Sequence, residues 1–251
     1  GYGMKAKGMG GASTAMAIDA YGGANNPASM VWAGDRLDVG VDLFSPRRDI
    51  SRTGSVGGML DGSVNSGSNL FLIPEFGYNR MIGWDMSVGV SVYGNGGMNT
   101  DFSNGGQGNA AICGTAGGFN AASGQPGPYN MLCGSGKLGM NLSQLTIAPT
   151  FAKKINKDNS FGASLLLVAQ QFKAEGLSGF FNFTSSAAGG PPAFASSNLT
   201  NRGNEMTYGY GLKLGWTGKM SDAVTLGASY TSKAKMGKFD VILVLRGDRF
   251  A

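Results

Sequence analysis

The sequence contains no histidine. That removes Ser-His-Asp triads, imidazole general bases and histidine-containing metal sites. It also lacks any run of about 18 apolar residues, so no segment reads as a membrane-crossing helix. The longest clean apolar run is Val241-Ile242-Leu243-Val244-Leu245. Charge is scarce, at 14 % of 251 residues, and the net +5 is scattered. With no basic stripe and no interleaved aromatics, nucleic acid has little support as a partner. Cysteine is limited to Cys113 and Cys133, too few for a structural zinc site alone. In an exported chain their placement in one Gly-rich stretch reads as a local disulfide, and otherwise as two independent thiols in a loop. No leader peptide is visible before Gly1-Tyr2-Gly3, so the chain reads as already processed. Glycine is abundant, at 44 residues, but has no Gly-X-Y period, which excludes collagen.

Nucleotide motifs are also missing. Gly1, Gly3 and Gly8 have no strand before them and the wrong spacing for a dinucleotide loop. Gly134-Ser135-Gly136-Lys137 lacks the upstream glycine and the following hydroxyl residue of a P-loop. The Arg-Gly-Asp at 246–248 is a chance-level match. No carboxylate pair has a catalytic setting. The expectation is therefore a protein with no catalytic site, metal or cofactor, and an outer-membrane acylhydrolase is improbable without histidine.

What the sequence does contain is period-two alternation. In 206–217, Met206, Tyr208, Tyr210, Leu212, Leu214 and Trp216 share one face; Thr207, Gly209, Gly211, Lys213, Gly215 and Thr217 share the other. Segments 36–45, 70–79, 84–93, 142–153, 161–172 and 223–232 complete a set of seven predicted strands. In 161–172 the second face also carries Leu166, Val168 and Phe172. The connections alternate strictly. Short polar turns follow the second, fourth and sixth strands; long Gly/Ser/Asn/Ala-rich connections occupy 46–69, 95–140 and 173–205. That rhythm, and strands of about 9–11 residues, suit an antiparallel barrel spanning an outer membrane. Trp84, Tyr93, Trp216 and Tyr230 lie near strand ends, where an interfacial girdle would place them. Residues 1–35 are too weakly patterned for a strand and read as a plug folded into the lumen. Asn26-Pro27 forms a stiff turn after Gly22-Gly23, since proline fixes its own φ and restricts the residue before it.

The run "GYGMKAKGMGGASTAMAIDAYGGANNPASMVWAGDRLDVGVDLFSP" resembles the N-terminal hatch and first strand of the FadL family. The likeness includes Asn26-Pro27-Ala28 and Asp35-Arg36. The stretches "IGWDMSVGVSVYGNGGMNTDFSN", "SFGASLLLVAQQFKAEG", "GNEMTYGYGLKLGW" and "VTLGASYTSKAKMGKF" extend it to about Asp240. The resemblance implies an all-β, monomeric, fourteen-strand barrel in the bacterial outer membrane, with a hatch in its lumen, taking up long-chain fatty acids or other hydrophobic compounds. Seven strands are legible here, so the chain reads as incomplete or altered, or as a shortened homologue. The expected division is a hatch at 1–35, strands and loops at 36–240, and an atypical tail at 241–251.

Several site expectations follow. Leu177, Phe180, Phe181 and Phe183 would capture ligand on the third long connection. Asn26, Pro27 and Ala28 would gate the hatch at its junction with the first strand. Gly94, Gly96 and Gly97, where alternation breaks, or Gly89, would mark a lateral opening. The expected partners are a hydrophobic small molecule (fatty acid, detergent-like or aromatic hydrocarbon) and outer-membrane lipid. The competing reading is a surface barrel whose long loops bind a partner, as an adhesin or phage receptor does.

Overall fold

The computed structural model describes residues 1–55, 61–103, 113, 128–178 and 200–239. The strands are β1 (Arg36–Phe44), β2 (Asp49–Arg52), β3 (Gly62–Asn65), β4 (Phe71–Met81), β5 (Met86–Phe102), β6 (Leu138–Lys154), β7 (Asn159–Glu175), β8 (Glu205–Lys219), β9 (Thr225–Thr231) and β10 (Lys235–Met236). One curled antiparallel sheet carries the order β1-β4-β5-β6-β7-β8, and both β9 and β10 then pair with β8. The pair β9 and β10 forms one interrupted edge. Thr231 opposes Lys213 while Lys235 opposes Tyr210, a one-residue slip. The seven predicted strands are all present, with β9 and β10 together making the last. β5, β6 and β7 are 17 residues each, longer than the alternation alone suggested.

The two faces of the sheet differ in chemistry. Leu37, Val39, Val41 and Leu43 of β1 project outward, as do Phe161, Leu165 and Leu167 of β7 and Met206, Tyr208, Tyr210, Leu212 and Leu214 of β8. Val39 is 75 % exposed and Tyr208 68 % exposed, so this is a continuous bare apolar surface. A sheet in water hides such a face; a sheet in lipid presents it. The inner face is small and polar, with Glu75, Asn79, Ser87, Ser91, Thr150, Ser160 and Ser164 all buried. No helix among the described residues is long and apolar enough to cross a membrane.

What buries the inner face is the N-terminal segment. It contains α1 (Met4–Gly8), a 3-10 turn (Pro27–Ser29) and α2 (Met30–Ala33), joined by irregular chain. The turn packs on β6, β7 and β8, and α2 packs on β4, β5 and β6. Ala24, Tyr93, Ala148, Leu166 and Val168 form one buried cluster across the lumen, with Tyr2, Ala234 and Met236 packed against it. Leu166 and Val168, the apolar residues on the second face of the fifth predicted strand, are thus luminal.

Two expectations are corrected. Tyr93 does not belong to an outer girdle: it lies on the inner face, 3 % exposed, whereas Trp84 and Tyr230 are 79 % and 65 % exposed. Its parity with Ser87 and Ser91 had already placed it inward, and position near a strand end is no substitute for parity. The first long connection is also not plain loop. β2 and β3 pair there as a hairpin, Asp49 opposite Asn65 through Arg52 opposite Gly62. Ile50, Val64, Phe102, Met131 and Leu138 pack together beneath it.

Candidate functional site

The pairing of β4 with β5 stops midway. Phe76 opposes Val92, and the ladder runs from there to Met81 opposite Ser87. Phe71 to Glu75 continue to pair with β1, but not with β5. Beyond Val92, β5 pairs only with β6, and its register shifts between Gly94 and Gly97. A bulge of this kind bends the strand that carries it. Gly96 supplies the left-handed backbone the bend needs, with φ of 99°. The wall therefore has an interruption between Phe71–Glu75 of β4 and the bulged part of β5. Pro74, which has no N–H to pair, falls within it.

A cavity of about 450 Å³ occupies this interruption. Phe44, Phe71, Leu72, Ile73, Pro74, Met98, Leu142 and Leu145 supply most of its lining, with Arg48, Asn99, Ser143 and Gln144 at the polar edge. Gly94, Gly96 and Gly97 line it directly. A Cβ at Gly94 would stand 3.0 Å from Ile73 Cγ2, so a larger residue there would press on the opposite edge. Gly89 lies elsewhere. It is paired on both sides, with Asn79 and with Thr150, and sits beneath Met30 of α2.

Asn26, Pro27 and Ala28 are buried, and they meet β7 and β8 rather than the first strand. Asn26 Oδ1 accepts from the Ala28 amide at 3.1 Å and so caps the 3-10 turn. Its Nδ2 donates to the Thr14 carbonyl at 2.7 Å and to the Trp216 carbonyl of β8 at 2.9 Å. The Ala28 carbonyl accepts from Ser160 Oγ at 2.8 Å, and Trp32 Nε1 donates to the same hydroxyl oxygen at 2.8 Å. Gly162 and Gly215 oppose each other across β7 and β8, and the turn lies on them. A Cβ at Gly215 would fall on Asn26 Oδ1, and one at Gly162 on the Pro27 backbone. These glycines are the floor of a dock.

The start of the chain reaches the interruption. Tyr2 packs its ring on Tyr93 with centroids 4.2 Å apart, and its hydroxyl donates to Asn95 Oδ1. The Gly3 amide donates to Glu75 Oε2 at 3.1 Å. Lys7 pairs with Glu75 and, at 2.9 Å, with Asp42. Burial works against the charge on Lys7, but its bonds to Glu75 and Asp42 outweigh this and hold the ammonium above the usual lysine range. Burial, with the Glu75 charge, also raises the Tyr2 phenol. Tyr21 is pushed up to about 12 by burial, aided by Glu75, Asp38 and Asp19. Tyr2 is tied to the dock as well: its amide donates to Asn25 Oδ1 at 2.7 Å, and Asn25 Nδ2 returns a bond to the Tyr2 carbonyl at 2.8 Å.

Tyr2, Lys7, Glu75, Tyr93 and Asn95 were not among the residues expected from sequence. Glu75 carried a usable signal, as the sole carboxylate on the inward parity of 70–79. Tyr93 carried its inward parity with Ser87 and Ser91; Tyr2, Lys7 and Asn95 carried none, because their importance lies in contacts made far along the chain.

At the end bearing the long connections, Cys113 and Cys133 are joined, with Cα atoms 5.1 Å apart. Asn130 organises the surrounding chain: its Nδ2 donates to the Gly176 carbonyl at 2.8 Å, and its Oδ1 accepts from Leu132 and Gly134. Leu177 is half-buried there, its amide bonded to Thr200 Oγ1 at 3.2 Å. Phe180, Phe181 and Phe183, and the tail at 241–251, lie outside the described residues.

No family profile matches the sequence, and no curated protein matches it. Solved structures do. The P. putida toluene transporter TodX superposes with a TM-score of 0.70 at 19 % identity, over 95 % of this chain and 57 % of that one. The Ralstonia pickettii toluene transporter TbuX gives 0.68 at 20 % identity, over 95 % and 59 %. A Pseudomonas aeruginosa FadL homologue gives 0.51 at 14 % identity, over 88 % and 49 %. The fold is that of bacterial outer-membrane β-barrels. More narrowly, it is the FadL-type fold, a half-barrel with its luminal hatch, spanning 49–59 % of the length of these three structures.

Proposed function

We propose that the chain serves passive uptake of hydrophobic small molecules across an outer membrane, with lateral exit through the wall between β4 and β5. The observation that carries this reading is that Phe71–Glu75, paired with β1 but not with β5, faces the bulge at Gly94–Gly97, with an apolar cavity of about 450 Å³ between them. Backbone groups left bare toward lipid are costly, so an interruption in a membrane wall is retained for a use. An apolar ligand leaving sideways keeps its hydrophobic gain, about 0.8 kcal/mol for each CH₂ kept from water. The three similar structures include two described as toluene transporters, which supports a hydrophobic cargo. Fatty acids, detergent-like amphiphiles and aromatic hydrocarbons all fit the lining chemistry.

In this reading Leu177, Phe180, Phe181 and Phe183 make the first external contact, and the ligand then passes the hatch to the wall. The test is uptake of a fluorescent arene, N-phenyl-1-naphthylamine, by cells carrying Gly94→Trp. Entry slowed to the rate of cells without the protein supports the lateral route. Unchanged entry overturns it. Replacing the three phenylalanines by serine should lower capture at low ligand concentration while the barrel still inserts.

A further inference from the structure

Lys7, Arg36, Lys137, Lys173 and Lys219 each make an ion pair. Arg48 differs. It lies half-buried on the short link between β1 and β2 and lines the wall cavity. Its Cζ stands 5.6 Å from the Phe71 ring centroid, and its Nη2 donates to the Ser68 carbonyl. Its Nε is buried without a hydrogen-bond partner. Among the described residues no carboxylate pairs with it. The adjacent Asp49 is exposed and opposes Asn65 in the β2–β3 hairpin. A cation set in apolar surroundings is costly unless an anion meets it.

We infer that Arg48 and the cavity beside it form a membrane-lipid site, with a phosphate head on the guanidinium and one acyl chain between β4 and the bulged part of β5. The occupant is a phosphate-headed acyl lipid of the leaflet at the end bearing the long connections. Binding there does not depend on lateral exit.

Depth, shape, access and charge all favour this occupant. Phe44 and Phe71 oppose each other on the last rung between β1 and β4, with ring centroids 6.3 Å apart. The outward apolar face of β1 ends at that rung, and aromatic residues at such a level mark a membrane interface. Arginine suits this depth, since its stem lies on apolar surface while its head meets lipid headgroups. The cavity is elongated along the strands. Phe71 to Pro74 of β4 runs about 10 Å, at about 3.3 Å per residue, and Leu142 to Leu145 of β6 lines the other side. A slot of that form fits an extended chain better than a compact ring. Leu72 and Leu145 line it from the outward face, so lipid of the surrounding leaflet has direct access. Arg47, exposed on the same link, adds a second cation. A guanidinium fork matches two phosphate oxygens at once, with charge-assisted bonds.

The test uses the full chain, purified in dodecyl maltoside, and two photoreactive probes that differ only in the head. One is a diazirine-tailed phosphatidic acid; the other is the matching diacylglycerol. Labelled peptides are read by mass spectrometry, with 206–214, an outward apolar stretch away from the cavity, as the internal reference. The phosphatidic acid should label 71–74 and 142–145 well above the reference, and the diacylglycerol should label all three alike. Arg48→Gln should lower cavity labelling by the phosphatidic acid about tenfold, as loss of one charge-assisted bond implies. Unlabelled diphosphoryl lipid A should displace the probe at lower concentration than palmitate. Equal cavity labelling by the two probes in the unsubstituted protein would overturn the site, and that comparison needs no variant to insert. Unchanged labelling in Arg48→Gln would also overturn it. Displacement by palmitate and not by lipid A would overturn the membrane lipid as occupant in favour of a free fatty acid. If Gly94→Trp left uptake unchanged while the phosphatidic acid still marked 71–74, lateral exit would fall and the lipid site would stand.

Discussion

Asn26 and Tyr2 both fasten the N-terminal segment to the wall, but by different chemistry. Around Asn26 the fastening is backbone and close packing: a capped turn laid on Gly162 and Gly215, with side-chain amides and hydroxyls bonded to main-chain carbonyls. Around Tyr2 it rests mainly on side-chain tips, an ion pair, a ring contact and a hydroxyl, with the Gly3 amide bonded to Glu75. Buried main-chain partners have nothing to replace them and are costly to separate. The Lys7 side chain is 30 % exposed although its partner Glu75 is buried, so this pair meets water on one side. The two fastenings are linked through Asn25, which bonds the Tyr2 amide and carbonyl.

The contrast can be broken most severely at the dock. Gly215→Leu puts a side chain where Asn26 Oδ1 lies, and overpacking of this sort should cost about 3 kcal/mol. The expected result is a barrel that inserts but whose N-terminal peptides exchange amide hydrogens rapidly throughout; slow exchange at 21–33 would show that the dock accommodates bulk. Asn26→Ala should cost about 2 kcal/mol, from the lost cap and the stranded Trp216 and Thr14 carbonyls. Exchange should rise at both 1–12 and 21–33, because Asn25 links them. Tyr2→Ala should cost about 1 kcal/mol for the aromatic contact and raise exchange at 1–12 alone. If it loosened 21–33 equally, the two fastenings would be one unit.

The smallest effect is on pH. Lys7 is held charged above its usual 10.5, so its contribution is complete below that value and is lost as pH rises through the raised one. Exchange at 1–12 should therefore increase only at strongly alkaline pH, and Lys7→Met should remove that dependence. Tyr21 stays neutral until about 12, and the Tyr2 phenol is likewise raised, so neither competes at the lower end of the window. Asp19 is raised by burial and titrates on the acid side, away from it.

The strands were legible because one face had to be apolar and the other small or polar, and alternation records that directly in 206–217 and 223–232. The hairpin of β2 and β3 was not, since four residues such as Gly62-Ser63-Val64-Asn65 are too few to show a period. The break at Gly94–Gly97 was visible as a loss of alternation, but whether the strand ended or bulged depended on β6 continuing to pair beyond it. The Asn-Pro turn was visible too, yet its partner was not: Gly162 and Gly215 look like ordinary small-face residues until the turn is laid on them. Tyr2 and Lys7 gave no local sign, because their roles arise from Glu75 and Tyr93.

The bond from Asn26 to the Trp216 carbonyl joins residues separated by 190 positions. The dock therefore does not exist until β7 and β8 have paired, long after the N-terminal segment has been made. Contacts of such separation form late, since the intervening chain must be ordered before they repay its entropy. Seating of the turn on Gly162 and Gly215 is therefore a closing step, which waits on the pairing of the two strands beneath it.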